Sequence, residues 1–570
     1  MNEAQQGTAV MQATKEEKAQ PAQSQHEKEL ETIIDRLLTN DPSSHHEVFN
    51  RLKMDWHATV EEHGDVLATK AGITAKSSIV TRTGKLMLSS GTGAYRVEAT
   101  MQHIGSLLGV SCAADVSLVS IDSTVSDGRS SFTEVVSLPK TGVNTARIQI
   151  MERFQDELEA NLDTLTVNDI HRMLDEIEHR KPRYSAWQLG LASGFACFAF
   201  VFLLGGGLIE MTGALIGAGF GNFTRVALGR KHFNHFGANI VSVALAGLLY
   251  LGTLGVLSLF IPDAFQHEAG YIGALLFVIP GFPLITSGLD FAKFRFASGV
   301  QRLTYAGTIV FLATITGWIV AMIVGFTPNE FAPQGLDPVS TCLLRCLMSF
   351  VGVFGFSIMF NSTPRMAFTA ACIGLVANTT RLELIDLAGM LPEAAALIGA
   401  LIAGLLASVV GLKMTLPRIS LTVPSIVIMV PGLYLYRAMY YLGILDAGDA
   451  LSWGLRAMII IFCLPIGLAL ARMLTDKSWR YDGSGARYKR ACTCSQCLPA
   501  LLAAKTGARP SVSKAAQTPS SMPVSVGVMS RGSSRSAAVR TRRRSSAEMV
   551  GDSARQPCCT QRASSPCRSM

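Results

Sequence analysis

Charge is scarce in this chain. Of 570 residues only 16% are Asp, Glu, Lys or Arg while 49% are hydrophobic, and the mean hydropathy is positive. That composition excludes an ordinary multidomain soluble protein and points to a membrane protein with charged, water-facing flanks. The N-terminal stretch MNEAQQGTAVMQATKEEKAQPAQ lacks an apolar core, so no cleavable signal peptide is expected. The twelve cysteines are scattered. Cys197, Cys342, Cys346, Cys372 and Cys463 fall in apolar runs, where they read as small hydrophobes, and no disulfide framework is implied. Cys492, Cys494 and Cys497, with Cys558 and Cys559 beyond, lack a second C-x-x-C pair and a nearby His, so no metal and no other cofactor is expected. Nor do Ser, Asp and His residues form a recognisable nucleophile motif, so the chain does not read as an enzyme. The net charge of +8 gathers in the C-terminal tail and in short loops, which is no nucleic-acid signature.

What is present divides the chain. Residues 1–27, rich in Gln, Ala, Glu and Lys, are expected to be disordered. Residues 28–184 read as a cytoplasmic soluble domain with an α/β core over about 72–183: helices at 95–108, 150–161 and 167–180, and the strand-like runs DVSLVSI and FTEVVSL. From 185 to 475 the chain is nearly continuous apolar runs of the length that crosses a ~30 Å hydrocarbon core. Ten spans are predicted, at about 186–206, 208–226, 237–260, 270–291, 304–326, 338–360, 366–380, 394–412, 420–442 and 453–474. Every second loop is basic (Arg225, Arg230 and Lys231; Lys293, Arg295 and Arg302; Arg365; Lys413 and Arg418), which places both termini in the cytoplasm of a multi-pass plasma-membrane protein. Arg381 and Arg456 are exceptions read as snorkelling at outer span ends. Residues 476–570 read as a basic disordered tail attracted to anionic lipid.

The apolar region repeats itself. FVIPGFPLI around Pro280–Gly281 matches IMVPGLYLY around Pro431–Gly432, and GNFTR (Gly221–Arg225) matches ANTTR (Ala377–Arg381). Each half, 185–326 and 338–475, then holds five spans, and an odd number sets the halves in opposite orientation. The predicted fold is therefore an α-helical polytopic membrane protein of two inverted five-helix repeats. Inverted repeats with Gly/Pro-interrupted helices in matching places are a pattern of secondary transporters, in which backbone freed at the break meets a polar ligand. The competing reading is that Pro-Gly only kinks two helices for packing.

Three stretches carry a resemblance: SSGTGAYRVEATMQHIGSLLGV before the first span, VIPGFPLITSGLDF in the fourth and TVPSIVIMVPGLYLYRAMYYL in the ninth. Over residues 78–475 the chain resembles the threonine/serine exporter family. The resemblance implies proton-driven efflux of small hydroxy amino acids, ten spans and a cytoplasmic N-terminal domain. The alternatives are a small-dicarboxylate exporter, a channel, and a membrane-anchored hydrolase. The expected partners are the amino-acid substrate, protons and membrane lipids, with a homo-oligomer left open.

Charges inside spans cost about 2.5–3.5 kcal/mol each on insertion scales, so each is a candidate for function. The first half supplies the acids Glu210 and Asp290, the second the bases Arg345 and Arg437. Arg437 is the candidate carboxylate partner, helped by backbone N–H groups at the break. Asp290, with Glu210, is the candidate for proton coupling or ammonium recognition; both also fit an interfacial position near a span end, and Arg345 fits snorkelling. The substrate hydroxyl is assigned to a lining drawn from Asn222, Thr224, Asn378, Thr379, Thr380, Thr286, Ser287 and Tyr434, beside the breaks at Pro280, Gly281, Pro283, Pro431 and Gly432. Ser and Thr in membrane helices also bond their own backbone. In the N-terminal domain, GTGAYRVE sets Gly91 and Gly93 ahead of a helix whose N-terminus favours an anion, with Arg96 and Glu98 expected in ion pairs.

Overall fold

The computed structural model describes residues 64–138, 142–261, 264–326 and 330–480, all within one compact unit, Met1–Tyr488. The segment 1–27, the first part of the expected soluble domain up to residue 63 and the tail beyond 480 lie outside the described residues.

The N-terminal domain runs α1 (Ile73–Ser89), α2 (Ala94–Leu107), β1 (Ser111–Val116), β2 (Ser120–Ser126), β3 (Ser131–Ser137), α3 (Thr145–Asn161) and α4 (Val167–Glu178). Its strands pair antiparallel in sequence order. DVSLVSI is not one strand: the Ser117 hydroxyl accepts from the amides of Val119 (3.2 Å) and Ser120 (2.9 Å), turning β1 into β2. Apolar alternation continues across that turn, so the pattern hides it. β2 buries Ile121, Ser123 and Val125, and α4 buries Val167, Ile170, His171, Leu174 and Ile177, spaced as one helical face after a Thr166–Asp169 capping box.

The remainder is helical: α5 (Ala186–Leu203), α6 (Leu208–Arg230), α7 (His235–Leu257), α8 (Tyr271–Leu275), α9 (Gly281–Ala292), α10 (Phe296–Val324), α11 (Pro338–Met359), α12 (Pro364–Asp386), α13 (Pro392–Met414), α14 (Arg418–Val427), α15 (Gly432–Gly443), α16 (Ala447–Thr475) and α17 (Lys477–Arg480). Six of these are long and apolar enough to cross a membrane, or up to eight spans if each of two bent pairs counts as one. The chain is thus an α-helical integral membrane protein. α6 and α12 are 23 residues each but carry Asn222 with Arg225 and Asn378 with Arg381, and they are not among the apolar spans. Both helices run past those arginines, to Arg230 and Asp386, so Arg225 and Arg381 lie within helices rather than at span ends.

The two breaks have the same local geometry. Glu268–Val278 meets Gly281–Ala292 at 59°, and Arg418–Val427 meets Gly432–Gly443 at 49°. Pro280 (φ −82°, ψ 64°) and Pro431 (φ −79°, ψ 58°) each centre an inverse γ-turn, closed by Gly281 N–H to Ile279 O and Gly432 N–H to Val430 O, both 2.8 Å. These two amides are therefore engaged inside the turn. Each glycine faces the other break. A Cβ on Gly281 would lie 3.1 Å from Val427 Cγ2, and one on Gly432 would lie 2.5 Å from Ile279 Cδ1 and Leu276 Cδ2.

The N-terminal domain is pinned to the helical part by a buried carboxylate. Asp290, fully buried, accepts from the Tyr95 amide at 3.4 Å and from Ser298 Oγ at 3.2 Å, and pairs with Arg302 Nε at 3.1 Å. Arg302 Nη2 in turn donates to Thr92 O at 2.8 Å. The anion favoured by the α2 N-terminus is thus a side chain of the same protein. Gly93 is needed there because a Cβ would stand 3.0 Å from Asp290 Oδ1. Around this point Arg295 pairs with Glu98, Arg96 with Glu152, Thr145 Oγ1 with Ser362 Oγ (2.7 Å), and Asn361 Nδ2 donates to Asn144 Oδ1 (2.9 Å).

Two outcomes follow from this docking. Asp290→Asn strands the Arg302 guanidinium and should destabilise the protein by about 3–5 kcal/mol, whereas Arg302→Gln added to it should cost far less than the sum of the two. Additive losses of thermal stability would mean that the pair does not act as a unit. Glu98 offers a pH test: burial, opposed by Arg295 and reinforced by Asp115 and Asp290, lifts its carboxyl to about 7. A raised acid favours the docked state below its ordinary range and loses that advantage as pH rises through about 7. Hydrogen exchange in α2, corrected for intrinsic rate, should quicken between pH 6 and 8, and Glu98→Gln should flatten the profile; a wild-type profile already flat would refute this.

Candidate substrate site

Where α9 begins, the chain encloses a cavity of about 220 Å³. Its walls come from both breaks and from the N-terminal domain: Pro280 and Pro283 from one, Val427 from the other, Gly142 and Val143 from the segment leading into α3. Small-molecule pockets usually span about 300–1,000 Å³, so this one suits a ligand of amino-acid size. Four polar side chains line it: Arg225, His235, Asn239 and Tyr305.

Arg225 is held in place from its own helix. Its Nε and Nη2 donate to Asn222 Oδ1 at 3.1 and 2.7 Å, and Asn222 Nδ2 donates to Leu189 O at 2.8 Å. The residues stand three apart, one helical turn, which makes the pairing local. The guanidinium lies 5.5 Å from the centre of the Phe277 ring, just ahead of the break. Asn239 is 1% exposed, and neither its Nδ2 nor its Oδ1 meets a partner among the described residues. Such a group costs about 1–3 kcal/mol unless something bonds to it. His235 Nε2 and Tyr305 Oη are 3.0 Å apart, with their rings stacked at 6.1 Å. The arrangement offers one fixed guanidinium, one amide with donor and acceptor both uncommitted within the protein, and an apolar wall. Chemically that is a receptor for a small carboxylate bearing a second polar group.

The residues singled out from sequence fall in several places. Pro280 and Pro283 line the cavity, and Asn222 acts on it through Arg225. Gly281 and Gly432 occupy the contact between the breaks with Pro431 beside them, and Asp290 occupies the docking site. Thr286 Oγ1 bonds Phe282 O (3.0 Å), Ser287 Oγ bonds Leu284 O (2.7 Å) and Thr380 Oγ1 bonds Val376 O (2.7 Å), all within their own helices. Thr224, on α6, is half-buried, and the buried Thr379 Oγ1 has no partner among the described residues. Glu210 caps its own helix through the Gly207 amide (3.0 Å) and meets His267 Nδ1 at 2.7 Å. Arg345 pairs with Glu383 and Asp386. Arg437 and Tyr434 lie beyond the second break, against Trp453, and Asn378 bonds Arg381 there. Sequence reasoning took Arg225 as a marker of orientation only, although its recurrence with Asn222 in both halves was already a signal. Asn239 and Tyr305 carried none, being single polar residues near the starts of apolar runs, and His235 read only as part of the polar loop GRKHFNHF.

A family model described as a threonine/serine exporter matches residues 78–325, and a second, described as "Threonine/Serine exporter, ThrE", matches residues 345–474. No curated protein and no solved structure matches the chain. The first match ends after α10 and the second starts within α11, so together they take in the N-terminal domain's core, both breaks and every side chain that lines the cavity. This chain belongs to the threonine/serine exporter family.

Proposed function

We propose that the protein exports threonine, serine and similar small hydroxy amino acids across the plasma membrane as a secondary transporter driven by the proton-motive force. The observation that carries this reading is the fixed Arg225 beside the unpartnered Asn239 at a helix break. In it the substrate carboxylate takes the guanidinium, and Asn239 serves the ammonium and hydroxyl groups. A dianion would call for a second base, and the cavity pairs its one arginine with a neutral amide. The hydrolase alternative loses its best candidate pair. Ser78 Oγ lies 2.9 Å from His171 Nε2, but both residues are buried and Arg82 Nη1 stands 3.2 Å from Nδ1, where an orienting carboxylate would have to accept.

Ten spans in two inverted halves account for the matched elements. α6 and α12 are 23 residues each, α7 and α13 are 23, α9 and α15 are 12, and α10 and α16 are 29. The second members of the bent pairs run oppositely: α9 reaches Tyr95 of the N-terminal domain through Asp290, and α15 ends at Gly443 beside Trp318, toward the end of α10 remote from the Arg302–Thr92 contact. The basic loops fall on the domain's side, as Arg230 bonds Tyr184 O and Arg295 pairs with Glu98, which suits a cytoplasmic domain and cytoplasmic termini. The domain closes the cavity from that side through Gly142 and Val143, so substrate entry requires undocking. Protonation of Asp290 removes its charge from Arg302 and the α2 N-terminus, which ties proton binding to that opening; Glu210 with His267 is the corresponding pair on the far side.

The test is efflux from cells preloaded with a threonine-containing dipeptide, with and without an uncoupler. Arg225→Gln and Asn239→Ala should each lower efflux at least about tenfold at unchanged membrane abundance, from the loss of a buried or charge-assisted hydrogen bond. Equal efflux from cells with and without the protein would remove the reading, and uncoupler-insensitive downhill flux would favour a channel.

A further inference from the structure

The second half repeats the arginine device of the first on the opposite side of the breaks. Arg381 Nε donates to Asn378 Oδ1 at 3.1 Å, and Asn378 Nδ2 donates to Ser349 Oγ at 2.9 Å, just as Asn222 holds Arg225 and is itself held by α5. Like Arg225, Arg381 adjoins its break: the space beside Gly399 is bounded by Arg381 Cβ and Met429 Cε, each 3.2 Å from a Cβ built there. The surroundings, however, differ. One and a half turns past Gly432, Arg437 is 8% exposed, its Nε meets no partner among the described residues, and its guanidinium lies 4.6 Å from the Trp453 ring centre. Tyr434 packs on the same indole at 5.3 Å. Nearby acids are already committed, since Glu383 and Asp386 both pair with Arg345. Among the described residues no carboxylate pairs with Arg381 or Arg437.

Buried guanidinium groups without a counter-charge are costly; Arg381, held by Asn378 and within electrostatic reach of Tyr434, and Arg437, with its orphaned Nε against Trp453, flank one Tyr434–Trp453 aromatic pair, an arrangement complementary to an anion. The geometry points to a second carboxylate-binding station, formed by Arg381, Arg437, Tyr434 and Trp453, on the side of the breaks away from the N-terminal domain. This rests on the exporter reading and deepens it: the substrate carboxylate passes from Arg225 to Arg381 and Arg437 as the path opens outward. In the present conformation Trp453 covers Arg437, the closed counterpart of the cavity that Val143 covers on the other side.

The experiment follows tryptophan fluorescence of the full-length protein in nanodiscs during titration with L-threonine, with L-threoninamide, which lacks the carboxylate, as control. A saturable change is expected for threonine alone, and Trp453→Phe should abolish it. Arg437→Gln and Arg381→Gln should each raise its midpoint about tenfold or more, while Arg129→Gln, on the exposed turn between β2 and β3, retains it. Thermal stability is measured for each variant, and Arg437→Lys, which keeps the charge, should respond more strongly than Arg437→Gln if the former folds. Unchanged midpoints in both Arg437→Gln and Arg381→Gln, or a response that survives Trp453→Phe, would overturn the second station. Threonine export by the wild type without any such response sinks this inference alone; absence of both export and response also sinks the reading beneath it.

Discussion

A single carboxylate with no exposed surface organises this molecule. Asp290 meets the Arg302 guanidinium, the Ser298 hydroxyl and the first amides of α2. Removing such a group from water is expensive, and only several simultaneous partners offset the cost. The partners come from two parts of the chain: Arg302 and Ser298 share the membrane helices with Asp290, and the α2 amide completes its shell while the N-terminal domain sits on them. The same seat carries the segment through Gly142 and Val143 over the cavity that holds Arg225. Docking and closure are therefore one event.

The helix breaks supply the other constraint. A proline inside a span frees backbone groups that lipid cannot serve, and here the γ-turns take up the Gly281 and Gly432 amides. The glycines let the two breaks approach until Val427, Ile279 and Leu276 touch them. The polar chemistry is displaced one layer outward, to arginines on α6 and α12 that reach in beside the breaks. In the proposed path the breaks supply the shape and the arginines the affinity for a carboxylate.

Much of the architecture was legible in the residues because membrane helices leave strong marks. The ends of α5 and of α11 are visible in the run of apolar residues, and Pro280–Gly281 with Pro431–Gly432 mark where the bent pairs turn. GTGAYRVE announced a helix N-terminus suited to an anion, but nothing local says that the anion is Asp290, nearly two hundred residues on. The same limit applies to Asn239 and Tyr305. Their meaning is tertiary: each is one polar residue on a helix until a distant helix encloses it. Arg437, read as a partner of the substrate carboxylate, packs against Trp453 in the second part of a bent pair, a contact that nothing local in the sequence announces. DVSLVSI hid its turn for a simpler reason, since Ser117 satisfies turn amides without interrupting the alternation.

The claim that docking and closure are one event is tested most directly by fixing the domain in place. Thr145 Oγ1 and Ser362 Oγ are 2.7 Å apart across the junction, so Thr145→Cys with Ser362→Cys places two thiols within bonding reach. With the disulfide formed, threonine efflux should cease, and a reductant should restore it to the level of the unoxidised double variant. Undiminished efflux at complete cross-linking would show that substrate reaches Arg225 with the domain docked, and would contradict the account.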